Sequence, residues 1–144
     1  MLSFFDTLSQ ADPARIYVDV APRNFMLSPA WRLRVVDTAA IENVGSVPPR
    51  PPVTPSYLDV DNARAWQSKG PIRIDLASAL HATGRILYRL VTNRLPLAGI
   101  AVELTDPIWH DCPELARLVT SLLAPGSNAP AIKELLTGLE TPRG

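Results

Sequence analysis

Five of the fifteen prolines in this 144-residue chain fall within the eight positions Pro48 to Pro55. Each proline fixes φ near −65° and lacks an N–H donor, so Val47-Pro48-Pro49-Arg50-Pro51-Pro52-Val53-Thr54-Pro55 is excluded from helix interiors and central strands. It is expected to run as polyproline II, rising about 3.1 Å per residue, so that ten residues span about 30 Å. The arm separates an aromatic-rich, strand-prone first third from a helix-prone remainder. The first 45 residues offer two strands and a short helix, too little for a stable core of their own. The expectation is therefore one α+β domain over residues 1–144, with residues 46–56 strapped across it or onto a neighbour and of low mobility.

Charge argues against bulk electrostatic partners. The net charge is zero, and residues 1–56 carry five basic and five acidic groups, leaving nine of each sign to the rest. Neither half is a basic tail or an acidic block, so attraction to nucleic acid or an anionic membrane is not expected. With charged residues at 19%, the surface is weakly protected from self-association, which favours an oligomer or a subunit of something larger. Twelve of the fourteen basic residues are arginine, the bias of a GC-rich genome, bacterial or phage. The single cysteine, Cys112, excludes an internal disulfide framework and a cysteine-rich zinc site. The N-terminus lacks the pattern of a signal peptide, and the longest nearly apolar run, Leu95 to Val102, falls far short of the ~20 residues a bilayer needs. A soluble protein is expected, cytoplasmic or virion-associated if phage-encoded.

Hydrophobic periodicity supplies the elements. Ser3 before Phe4, Phe5 and Leu8 marks a short N-terminal helix ended by Asp12-Pro13. Residues 15–20 alternate with Ile16, Val18 and Val20 on one face, and 30–37 alternate with Trp31, Leu33 and Val35 inward and Arg32 and Arg34 outward. These two strands are expected to pair antiparallel. Residues 38–44 are ambiguous, and a helical turn or two is expected over 62–68. Asp75 is placed as N-cap of the strongest helix, Leu76 to about Leu95, with Ile72 to Ile74 a short strand before it and Gly99 to Leu104 a buried strand after it. Asp111 with Glu114 resembles a capping box for a helix through Leu115, Leu118, Val119, Leu122 and Leu123. Ser127 or Asn128 caps a last helix through Ile132, Leu135, Leu136 and Leu139, and the tail 141–144 is expected to fray. Strand, helix and strand from residue 72 suggest a right-handed βαβ unit, hence a small mixed sheet of about four short strands packed against three helices.

Few constellations carry chemistry. His110-Asp111-Cys112 offers a thiol at a helix start, for which His81 is the more plausible base; the simpler reading makes Asp111 a cap and Cys112 a small hydrophobe. Asp59 and Asp61 have the spacing of a calcium-loop fragment, but the remaining ligands and the turn glycine are missing. Phosphate-binding glycine loops do not occur, and no cofactor or metal is expected. On the long helix His81, Arg85 and Arg89 lie at i, i+4 and i+8, a basic stripe opposite the leucines that is suited to phosphates or an acidic partner, or is an ordinary solvated face. The proline arm contains overlapping P-x-x-P spacings, Pro48/Pro51, Pro49/Pro52 and Pro52/Pro55, around Arg50, a pattern that suits aromatic-lined grooves.

These observations point to a non-enzymatic accessory or structural subunit that binds another protein or itself. Pro48, Pro49, Arg50, Pro51, Pro52, Trp31 and Trp66 are the candidate contact residues, since Trp anchors are common in interfaces. A nucleic-acid-associated regulator using His81, Arg85 and Arg89 is one alternative; a cysteine-dependent enzyme around Cys112 is another.

Overall fold

The computed structural model describes residues 1–30 and 32–140, and among these it is a small α+β fold with six helices and two antiparallel two-stranded sheets. The helices are α1 (Leu2–Ser9), α2 (Val60–Gln67), α3 (Leu76–Thr92), α4 (Ile108–Asp111), α5 (Pro113–Leu123) and α6 (Ala129–Glu140). The strands are β1 (Arg15–Tyr17), β2 (Phe25–Leu27), β3 (Leu33–Val35) and β4 (Ile41–Asn43). No helix among the described residues is long and apolar enough to cross a membrane.

α3 organises the whole. Asp75 caps it as expected, and the cap is a reciprocal box: the Ser78 amide donates to Asp75, and the Asp75 amide donates to the Ser78 hydroxyl. The helix spans about 25 Å and stops at Thr92, earlier than its apolar spacing suggests, because Asn93 turns left-handed at φ 54°. Its two sides enter different cores. Ala79, Ala82 and Ile86 pack with Phe5, Leu8, Tyr17, Val20 and Tyr57, while Leu80 packs with Leu118, Leu122 and Ile132. α3 and α5 approach closely at Gly84, where an added Cβ would sit 2.9 Å from the Leu122 Cβ. A smaller cluster of Leu58, Ala63 and Ile72, joined by Val53, Ile74 and Ala98, lies under the proline arm. Lys133 of α6 pairs with Asp6 of α1 across the two main cores.

The strands are four, but not in one mixed sheet. β1 pairs with β4, Ile16 opposite Glu42, so the partner of the first strand comes from the ambiguous segment 38–44. β3 instead forms a local hairpin with β2, Phe25 opposite Val35 and Leu27 opposite Leu33, closed by Ser28 whose amide and hydroxyl bond the backbone of Arg32. The short loop makes this pairing entropically cheaper than reaching back to residue 15. The expected βαβ unit is absent from the described residues. The Ile72 amide bonds the Pro49 carbonyl, and the Asn62 side-chain amide pairs with both backbone groups of Arg73, so no ladder is available to Ile72–Ile74. Residues 99–104 are likewise irregular. Gly99 at φ 74° makes a tight turn with the Ile100 amide bonded to the Leu97 carbonyl, and a strand cannot start there.

Two helix starts also differ from expectation. Ser3 lies inside α1 rather than capping it, and Met1 holds the N-cap position. Asp111 ends the four-residue α4, so Cys112 occupies the N-cap position of α5 without a side-chain hydrogen bond. Asn128 is the residue that caps α6, accepting from the Ala131 amide. The tail 141–144 and the side chain of Leu139 lie outside the described residues.

Candidate interaction surface

The proline arm is a strap laid across its own chain. Its anchor is Asp19, a buried carboxylate at the end of the β1 segment. One Asp19 oxygen accepts from the amide and hydroxyl of Thr54, each at 2.8 Å, and the other from Arg23 and Asn24. Four donors on one carboxylate satisfy a charge that burial would otherwise destabilise. Pro51 is buried, Val53 packs beneath, and Pro55 begins a 3-10 turn over Pro55–Tyr57. Of the P-x-x-P spacings, only Pro49/Pro52 leaves both rings exposed. Pro48 is exposed, and Arg50 reaches the Trp66 carbonyl at 3.4 Å. Trp66 itself is exposed on α2; Trp31 lies outside the described residues.

The basic stripe on α3 does not face solvent as a unit. Arg85 is 0% exposed. Its guanidinium donates to the carbonyls of Ser56 at 2.7 Å, Leu97 at 2.6 Å and Ile100 at 3.0 Å, which pins both the arm's end and the 97–100 turn to α3. Burial lowers its pKa, with Asp59 and Tyr57 acting the other way, and a guanidinium keeps its charge in such settings. Arg89 donates to the Tyr57 hydroxyl at 2.6 Å. His81 is partly buried beside a cleft of about 680 Å³ lined by Asp59, Asn62, Arg73, Val102 and Leu123, and its Nε2 is buried with no hydrogen-bond partner among the described residues. Burial, then the charge on Arg85, lower the His81 pKa; Asp59 and the Leu123 carbonyl oppose them. The stripe's central guanidinium is thus turned inward, because its three acceptors come from loops 12 to 29 positions away.

Two apolar elements stand on the surface instead. In the β2–β3 hairpin, Phe25 and Val35 pack against the main core, and one step further along the same face Leu27 and Leu33 are 58% and 41% exposed. Alternation reads Leu33 as inward, but the ribbon runs past the edge of the core. Met26 and Val36 are exposed as well, and neither β2 nor β3 has a third strand among the described residues. The second element is the 97–100 turn. Arg85 draws two of its carbonyls inward, Ala98 packs under the strap, and the side chains of Leu97 and Ile100 are left 63% and 55% exposed. An uncharged run of this kind reads as a buried strand; only the glycine turn signals otherwise.

The other sequence candidates do not assemble into a site. Cys112 and His110 are exposed, and no hydrogen bond among the described residues joins the thiol to His110 or His81. Trp109 is buried and stacks on Tyr88 with centroids 6.3 Å apart. Asp59 caps α2 through the Asn62 amide, which is the structural use of that acid. Among the described residues no three His, Cys, Asp or Glu side chains gather as metal ligands. No protein-family model matches the chain, and no curated protein matches it at a significant level.

Proposed function

We propose that this protein is an accessory or structural subunit, without catalytic activity of its own, that works by binding another protein or further copies of itself. The observation that supports this is the β2–β3 hairpin, whose apolar face continues from Phe25 and Val35 in the core to Leu27 and Leu33 in solvent. A two-stranded ribbon with an uncovered apolar row is marginal alone and gains from a partner that covers it. Leu97 and Ile100, whose carbonyls accept from Arg85, form a second apolar surface of the same kind. A lone exposed thiol suits a reducing setting, cytoplasmic or virion-associated.

The test is light scattering of the purified protein over rising concentration, alone and with host extract. The expected result is a defined oligomer or a stoichiometric complex that Leu27→Ser with Leu33→Ser disrupts. A monodisperse monomer at all concentrations, with no stoichiometric complex in host extract, sinks the proposal.

A further inference from the structure

The hairpin carries more than apolar area. Between Asp19 and Asp37 the chain has no acidic residue, while Arg23, Arg32 and Arg34 fall in that interval. Arg23 is committed to Asp19 at 2.8 Å. Arg32 and Arg34 are exposed and form no ion pair among the described residues. The residues of β3 alternate between the two faces of the ribbon, as strand geometry requires. Leu33 lies with Leu27 on one face, and Arg34 lies with Met26 on the other.

We propose that the β2–β3 hairpin takes up an extended protein segment of alternating acidic and apolar residues, added as a third strand. This rests on the reading of the hairpin as a contact surface and specifies its partner. The unpaired edge supplies main-chain donors and acceptors for strand addition. An alternating partner strand along β3 places its apolar side chains beside Leu33, on the face that Leu27 shares, and its carboxylates beside the arginines, so both faces are complemented in one register. A second copy of the hairpin fits poorly. Twofold pairing along the β3 edge, the one that carries the arginines, brings Arg32 and Arg34 against their own images, and like charges across a sheet repel. An anionic membrane also fits poorly, since two arginines fall short of the about four to eight clustered basic residues that mark lipid-binding segments.

The experiment titrates isotope-labelled protein with a short repeating Glu-Val peptide and, separately, with its Lys-Val counterpart, following backbone amide shifts. The expected result is saturable shifts within residues 24–36 for the Glu-Val peptide, with affinity falling about tenfold from low to high salt. The Lys-Val peptide should leave these amides unmoved, and Arg32→Glu with Arg34→Glu should reverse the preference between the two peptides. Equal responses to both peptides, shifts confined to other residues, or no response overturns the proposal. Tighter binding to phosphatidylserine vesicles than to the Glu-Val peptide, lost in the same double variant, also overturns it. If light scattering shows an oligomer that Leu27→Ser disrupts while the Glu-Val peptide fails, the contact surface stands and the acidic strand falls. If neither assembly nor peptide binding involves the hairpin, both fall.

Discussion

Arg85 donates a 2.6 Å hydrogen bond to the carbonyl of Leu97, a residue whose own side chain stands mostly in solvent. The backbone is pulled in and the side chain is turned out by the same contact. A buried cation thereby holds an apolar turn in one orientation, and it does so from the centre of the longest helix.

Replacing Arg85 by Met keeps much of the volume and removes all three donors. The carbonyls of Ser56, Leu97 and Ile100 then lose charge-assisted partners, each worth about 1.5–3 kcal/mol where rehydration is poor. A net loss of about 2–4 kcal/mol is expected in urea unfolding, together with faster hydrogen exchange over residues 97–101. Arg85→Lys should lie close to Met, since one ammonium cannot span three carbonyls in fork geometry. Unchanged exchange in that turn would show that the guanidinium does not hold it.

Asp19 ties the strap to the body. In Asp19→Asn, one of the two oxygens becomes an amide nitrogen facing donors, either Thr54 or the Arg23 and Asn24 pair. The expected loss is about 2–3 kcal/mol. Residues 47–55 should at the same time become cleavable by a nonspecific protease under native conditions. A strap that stays protected in the variant refutes this anchoring role.

Gly84 sits where α3 meets α5. Alanine would favour an isolated helix by about 1 kcal/mol, yet here its Cβ would lie 2.9 Å from the Leu122 Cβ and 3.1 Å from the Leu123 side chain. Overpacking of this kind costs about 1–3 kcal/mol, so Gly84→Ala should lower the melting temperature. A variant as stable as the parent would mean that the two helices separate easily.

His81 makes stability depend on pH. Its folded pKa lies below the ordinary value of 6.5, chiefly through burial and secondarily through Arg85. As the pH falls through the unfolded value, the unfolded chain takes up a proton that the folded chain resists. Stability is therefore full above about 6.5 and declines below it until the lowered folded pKa is reached. His81→Gln should flatten this part of the profile, read from urea midpoints at about pH 7.5 and about pH 5.5. A wild-type profile as flat as that of the variant would remove His81 as the cause.

The sequence by itself determined the helical framework and the exclusion of the proline arm from helix and strand. Asp75 before Leu76, the leucine stripes of α5 and α6, and five clustered prolines are signals complete within a few residues, because capping, helical period and fixed φ act locally. Three features were decided only by the tertiary structure. Strand partners depended on which loop is cheaper to close, so residues 33–35 joined 25–27 rather than 15–17. The fate of Arg85 depended on carbonyls returning from Ser56, Leu97 and Ile100; an i, i+4, i+8 basic pattern looks the same whether it faces water or a ring of acceptors. The exposure of Leu27 and Leu33 depended on where the core ended beneath the hairpin. Alternation tells which face of a strand is apolar, and the extent of the body behind it decides how far along that face burial continues.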